Sequence, residues 1–355
     1  MHRFIMLLGL IAWGVFQASS FAQSLPLPTP SRFLSAQTTT AEVPEGLLIH
    51  RSALVIGAQP DAQGNLMPER TTAWAESFQA MFEEQGVDVV MVFRQLDLLS
   101  GREPWAAFEQ LMVQRGIQYL IHLKENGDQS FTVSIANLPE QAPLLGASRA
   151  AYSLSAADVG TLVTDLRLEI IRADLSRENF MVLGTPEFFE DVPMITKNRY
   201  ESFPLDLRLD KVAIRWPEDA GDDFKQQFGE YMDSLYPHEF GFVAATHTDQ
   251  QIRNEGYQYT LDWVYATGYS VKTVFNYETK EGENTYITFM TLGPNEKDIK
   301  SIPIYTPVYK FYMRHLVTGD VYLGKEWDAD LDWMAALKHH VYNYRAEQAA
   351  RGRRR

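Results

Sequence analysis

Gly116-Ile117-Gln118-Tyr119 and Gly256-Tyr257-Gln258-Tyr259 are the two stretches on which the fold of this chain turns. They lie 140 residues apart, and in each a glycine closes a helical pattern while the next residues open a strand. Reading outward from the first, Ser52-Ala53-Leu54-Val55-Ile56-Gly57 is a short apolar run of strand character. A helical period follows over 69–85, with Ala73, Trp74, Phe78, Met81 and Phe82 on one side and Gly86 as its stop. A strand over 87–93 leads to a second helix carrying Trp105, Phe108, Leu111 and Met112. Strands over 117–123 and 131–138 flank Asn126-Gly127-Asp128, which is hairpin chemistry, and a helix over 156–173 closes the unit.

The second stretch sits in the same surroundings. Val212-Ala213-Ile214-Arg215-Trp216 is the opening strand, followed by a helix over 222–236 with Phe224, Phe228, Tyr231, Met232 and Leu235. A strand over 240–245 and a short polar helix lead to Gly256, after which the strand from 257 should enter a hairpin. Further strands read over 285–292, 308–316 and 321–323, with Thr318-Gly319-Asp320 as a turn, and a helix over 330–344 ends the unit. The predicted class is α/β: two tandem modules of order β-α-β-α-β-β-α, each with a mixed sheet, the second enlarged by extra strands. Duplication requires 117–123 and 257–263 to occupy equivalent sheet positions.

This organisation divides the chain into a signal peptide (1–22), a disordered linker (23–46), a first module (47–176), an inter-module segment (177–210), a second module (211–345) and a basic tail (346–355). His2 and Arg3 precede an apolar run over 4–16, shorter than the roughly 20 residues a bilayer span needs, and Ser20-Phe21-Ala22 offers a cleavage site. The predicted mature chain starts at Gln23, lies in the periplasm or outside the cell, and retains no integral membrane segment. The Pro, Ser and Thr of the next stretch show no hydrophobic period. Between the modules, Phe180-Met181-Val182-Leu183 reads as a strand and 186–193 as an extended arm; the segment is a clasp across both modules or a docking arm.

Composition excludes several chemistries. The 355 residues include no cysteine, which removes disulfides, thiolate metal sites, cysteine nucleophiles and lipoprotein acylation. A formal charge of −14, falling to −15 once Arg3 leaves with the signal, argues against nucleic-acid binding. Five arginines and one glutamate over 345–355 offer a weak contact with anionic lipid or an acidic partner, or a frayed solubilising end.

The element order, the Gly-x-Gln-Tyr entry to a strand and the Thr-Gly-Asp turn resemble the small α/β module of CsgG, LpoB and the TolB N-terminal domain, envelope proteins of double-membraned bacteria. The resemblance covers 212–344 best, and the first copy lacks the Thr-Gly-Asp turn. It implies a fold and an envelope setting but no active site. The absence of cysteine departs from the lipoproteins among them.

Individual residues carry little chemistry. The turn over 57–65 has glycines but neither GxGxxG nor the Lys-Ser/Thr of a phosphate loop, and no GxSxG is present. His339 and His340 are adjacent on a helix and diverge by about 100°, so surface positions are predicted for the histidines. The acids over 218–223 precede a helix, where they complement its dipole, and lack the ligand spacing of a calcium loop. No cofactor and no metal are predicted.

On a strand, Tyr257, Tyr259 and Trp263 share one face, a candidate surface for a glycan or peptide strand, or else the face that helices cover. The function this suggests is a non-catalytic envelope protein that binds a protein partner in an assembly or secretion complex. The alternative is a secreted hydrolase acting on a glycan or peptide through dispersed carboxylates.

Overall fold

The computed structural model describes residues 25, 37–138, 149–179, 182, 184–188, 198–217, 220–280, 282–291 and 297–352. The chain begins with β1 (Gln37–Thr40), β2 (Arg51–Gly57), α1 (Pro68–Gln85), β3 (Val89–Arg94), α2 (Gln95–Leu98) and α3 (Arg102–Gln114). It continues with β4 (Ile117–Glu125), β5 (Phe131–Asn137), β6 (Arg149–Ala156), α4 (Val159–Arg172), β7 (Glu187–Phe188) and β8 (Arg199–Tyr200). Then come β9 (Lys211–Trp216), α5 (Asp222–Leu235), β10 (Phe240–Ala244), α6 (Asp249–Asn254), β11 (Tyr257–Thr267) and α7 (Gly268–Val274). The remainder is β12 (Thr285–Thr291), β13 (Lys297–Pro303), β14 (Pro307–His315), β15 (Val321–Tyr322) and α8 (Trp333–Gly352). The fold is α/β, as the alternation of patterns predicted.

Two mixed sheets carry it, of order β1-β6-β5-β4-β2-β3-β7 and β10-β9-β11-β14-β15-β8. In the first, β2 lies parallel to β3 and β4, and β4 is antiparallel to β5; in the second, β9 lies parallel to β10 and β11, and β11 is antiparallel to β14. Segments 117–123 and 257–263 therefore occupy equivalent positions. The likeness extends to single hydrogen bonds. Opposite β2, the register skips Gln118 between Ile117 and Tyr119; opposite β9, it skips Gln258 between Tyr257 and Tyr259. Each skipped glutamine turns its carbonyl to the residue after the antiparallel strand, Leu138 N at 2.6 Å and Leu316 N at 2.9 Å. Gly116 and Gly256 enter these bulges at φ of 66° and 92°, a left-handed turn that side chains resist.

Helices α1 and α4 cover one face of the first sheet, where Phe78, Phe82, Leu162 and Leu166 pack on Leu54, Ile56 and Ile121. Helices α5 and α8 cover the outer face of the second, where Phe228, Met232, Trp333 and Leu337 pack on Ile214 and Phe311. The two inner faces share one core, built from Trp105, Phe108 and Met112 of α3 together with Val264, Val271, Val274 and Phe275. β2 is thus buried on both faces, which is why its sequence is continuously apolar rather than alternating.

Several expectations change. Residues 37–40 of the presumed disordered linker form β1, because three threonines favour extended structure along β6. β11 enters α7 instead of a hairpin, with Thr267 accepting from Ser270 N at 3.2 Å, and its antiparallel partner β14 returns only after β12 and β13. The last helix runs through much of the presumed tail to Gly352, since Ala346, Gln348, Ala349 and Ala350 favour helix. Within it Arg351 donates to Phe203 O at 2.7 Å and pairs with Glu347, which itself accepts from Phe203 N. The segment 177–210 supplies β7 to the edge of the first sheet and β8 to the edge of the second. The signal peptide, the cleavage site, the linker up to residue 36 apart from Leu25, the strand expected at 180–183 apart from Val182, residues 189–193 of the expected arm, Glu218-Asp219 and Arg353–Arg355 lie outside the described residues.

Candidate functional site

The aromatic face read from the sequence does not exist as a surface. The bulge at Gln258 shifts the alternation by one, so Tyr257 faces away from Tyr259, packing half-buried against Ala213, Val243 and Ile252. Tyr259 and Trp263 point the other way and are 2% and 1% exposed under α5 and α8. The Tyr259 hydroxyl donates to Asp206 at 2.8 Å, and burial together with that carboxylate holds its pKa above the ordinary tyrosine range. These residues are core.

His122, His339 and His340 also depart from their predicted surface positions, whereas His50, His238, His247 and His315 are partly exposed. His339 and His340 are buried on α8, His340 Nδ1 lying 3.1 Å from Asp328. Asp328 pairs with Lys310, and all three groups are enclosed. Burial raises the Asp328 pKa, but Lys310 and His340 outweigh it and keep the carboxyl below its ordinary range. Such a cluster fixes β14 against α8 at a large desolvation cost. The acids near the start of α5 find a structural place: Gly221 is the N-cap, and Asp222 and Asp223 stand in the first turn.

A second charged set ties the two sheets together. Buried Arg215 of β9 pairs with Asp249 and lies 3.4 Å from Asp262. Arg314 of β14 reaches Asp249 at 2.9 Å and Glu103 of α3 at 3.6 Å. Three arginines, 314, 215 and 102, together overcome the burial penalty on Asp249 and lower its pKa. The inner faces are therefore joined by ion pairs as well as by apolar contact.

Beside this joint opens a crevice of about 340 Å³ at the carboxyl ends of β2, β3 and β4, contributed by Gly57, Arg94 and Lys124. Strand order reverses here, β3 lying to one side of β2 and β4 to the other, which in open α/β sheets is where ligands enter. Tyr265, Tyr269 and Tyr305 of the second unit form the opposite wall. The turn over 57–65, featureless as a motif, closes one end. Asp61 accepts from Asn65 N at 2.8 Å and Gln63 N at 2.9 Å, and the loop docks through Leu66 N to Tyr305 O at 2.9 Å and Thr306 Oγ1 to Asn65 Oδ1 at 2.8 Å.

Polar groups line the crevice and lie behind its wall, where a buried histidine meets Gln95 of the lining. His122 Nε2 lies 2.8 Å from Gln95 Oε1, and burial, aided by Lys124, pushes the imidazole down to about 4, so the ring is neutral at pH 7. Gly57 admits Gln95 to this position, since a Cβ there would collide with the glutamine amide. Asp97 is buried on α2, its Oδ2 accepting no hydrogen bond among the described residues and lying 3.7 Å from Arg94 Nη1. Burial raises its pKa, opposed by Ser270 and Arg94. No sequence motif marks this place, because its residues come from six separate segments.

A different feature lies at the far edge of the second sheet. Val212 N bonds Glu239 O and Ala245 N bonds Trp216 O, so the backbone of Phe240, Phe242 and Ala244 faces away from β9. β10 ends the strand order, whereas the corresponding β3 is covered by β7. Phe242 is half-buried against Trp216 and Phe228, with Lys225 Nζ 5.3 Å from its ring. Among the described residues no group of His, Asp or Glu could hold a metal ion, and no helix is long and apolar enough to cross a membrane.

The chain matches no protein-family model, and no curated protein matches it.

Proposed function

We propose that this is an exported, non-catalytic protein of the bacterial cell envelope that recruits a partner protein by adding the partner's strand to the edge of β10. The observation that carries the reading is the β10 edge, which no strand pairs among the described residues, beside a covered β3 edge. Met91 and Val92 of β3 pair in parallel with Glu187 and Phe188; through the shared register with β2 and β9, their counterparts are Gly241 and Phe242. The fold thus accepts a strand at this place in one unit and leaves it available in the other. Main-chain hydrogen bonds would supply affinity, and the half-buried Phe240 and Phe242 would supply the side-chain contact. The equivalent bulges and strand orders support descent of both units from one module, and the resemblance to CsgG, LpoB and the TolB N-terminal domain supports the envelope setting. The apolar start of the chain supports export. The hydrolase reading is weaker, since Asp97 is the one carboxyl among the described residues lining the crevice.

The test is site-specific photo-crosslinking in intact cells from position 240, with Ile171 as an exposed control. One discrete adduct from 240, absent from 171 and lost in Ala244→Pro, supports strand addition, since proline deletes an outward N–H without breaking a bond to β9. Phe240→Lys, judged by circular dichroism and adduct yield from position 242, serves if the proline variant does not fold. Equal adducts from 240 and 171, or adducts indifferent to both substitutions, would refute it.

A further inference from the structure

We propose that the crevice between the two sheets binds a small aromatic carboxylate that also carries a hydrogen-bond donor on its ring. This site is independent of the β10 edge. Its volume of about 340 Å³ is that of a small-molecule site, and its walls are continuous with the rigid cores of both units. Three features define the ligand. Tyr265, Tyr269 and Tyr305 present aromatic surface on one wall, where a flat ring gains stacking and apolar burial.

Arg94 and Lys124 are two cations against one lining carboxyl, Asp97, so the space carries a net positive charge and selects an anion. Lys124 makes no ion pair among the described residues, and a ligand carboxylate would supply one. Asp97 in turn holds a buried Oδ2 that accepts no hydrogen bond among the described residues and faces Arg94 Nη1 at 3.7 Å, an arrangement that a donor from a ligand would complete. A phenolic hydroxyl at the far end of a ring whose carboxylate meets Lys124 would provide that donor.

The first turn of α1 adds to the same polarity. It starts at Pro68, its N-cap Met67 offers no side-chain cap, and both residues line the crevice. The uncapped turn contributes partial positive charge beside Arg94, offset in part by Glu69 of the same turn. Lys124 and Asp97 stand on different strands and helices, β4 and α2, so the two ends of the ligand would be read by separate elements.

Isothermal titration calorimetry on the full mature chain tests this with four probes: 4-hydroxybenzoate, benzoate, 4-hydroxyphenethylamine and inorganic phosphate. Saturable one-to-one binding of 4-hydroxybenzoate is expected, weakened about tenfold or more in Lys124→Glu, with circular dichroism confirming that this exposed substitution leaves the fold intact. Benzoate should bind about tenfold more weakly, for want of the donor to Asp97. Phosphate should not compete. Preference for the amine would overturn the choice of an anion, competition by phosphate would overturn the aromatic requirement, and equal affinity for Lys124→Glu would overturn the site. Absence of binding by all four probes would overturn the proposal altogether.

Discussion

Acidification should destabilise this protein through His122 in a way that one substitution removes. The imidazole is 5% exposed, and its pKa falls from an ordinary 6.5 to about 4 because burial disfavours the cation and Lys124 adds repulsion. Between those values the unfolded chain binds a proton that the folded chain refuses, so stability is complete above pH 6.5 and declines as pH falls toward 4. Each unit costs about 1.4 kcal/mol, and a step from pH 7.5 to 5.0 crosses roughly 1.5 units of that window, a loss of about 2 kcal/mol. His122→Gln keeps an amide opposite Gln95 and abolishes the titration. Urea unfolding of both proteins at pH 7.5 and 5.0, followed by tryptophan fluorescence, should show the wild type losing about 2 kcal/mol more than the variant. Other titrating groups act in both proteins and cancel in the difference. Equal losses would mean that His122 accepts its proton inside the fold, and the account of a buried neutral imidazole would fail.

Trp263→Ala should cost about 3–5 kcal/mol by chemical denaturation, because the indole fills the core beneath α5 and α8; a loss under about 0.5 kcal/mol would return it to the surface. Tyr259→Phe should cost about 1 kcal/mol, the bond to exposed Asp206 being partly replaced by water, and no change would show that the 2.8 Å contact is idle. Lys310→Met should cost about 3–5 kcal/mol by stranding buried Asp328, and combining it with Asp328→Leu should recover part of the loss; a double variant less stable than the single would contradict the pairing.

The elements that a sequence shows are those whose burial is one-sided or complete over a long run. β2, α1, α3, β4 and α5 have such patterns, and their approximate limits follow from periodicity and from Gly86, Gly116 and Gly256 as stops. β7 and β8 have only two residues each, and no period is readable over so short a length. α7 was hidden because Val264 and Ala266 of the strand and Val271 and Val274 of the helix all face the shared core, and the polar residues between them, Thr267, Ser270 and Lys272, are buried as well. Burial on every side removes the alternation that would separate them. The buried charges were hidden for the opposite reason: Arg215, Asp262, Lys310 and Asp328 look like solvent-facing residues until their partners from other segments arrive.

The bulge at Gln258 shows how one residue decides between a surface and a core. Strict alternation from Tyr257 puts three aromatics on one face, and an exposed sheet face of that kind would be a plausible binding surface. The extra residue turns Tyr257 to the inner side beside α6 and leaves Tyr259, Leu261 and Trp263 beneath α5 and α8. The same device at Gln118 places Ile117 against the shared core and Tyr119 against the α1 side. In both units the residue before the bulge and the one after it, Ile117 and Tyr119 or Tyr257 and Tyr259, thereby face different cores. A repeated tetrapeptide is legible, but its physical purpose appears only when the register of the neighbouring strand is known. What differs between the units is the use of what lies beyond the first strand: β3 accepts β7, while β10 presents its outward backbone at Phe240, Phe242 and Ala244. Equivalent folding rules have produced one edge covered by β7 and one edge that no strand pairs among the described residues, and it is this asymmetry, rather than the aromatic content of the second unit, on which the proposal of a partner strand rests.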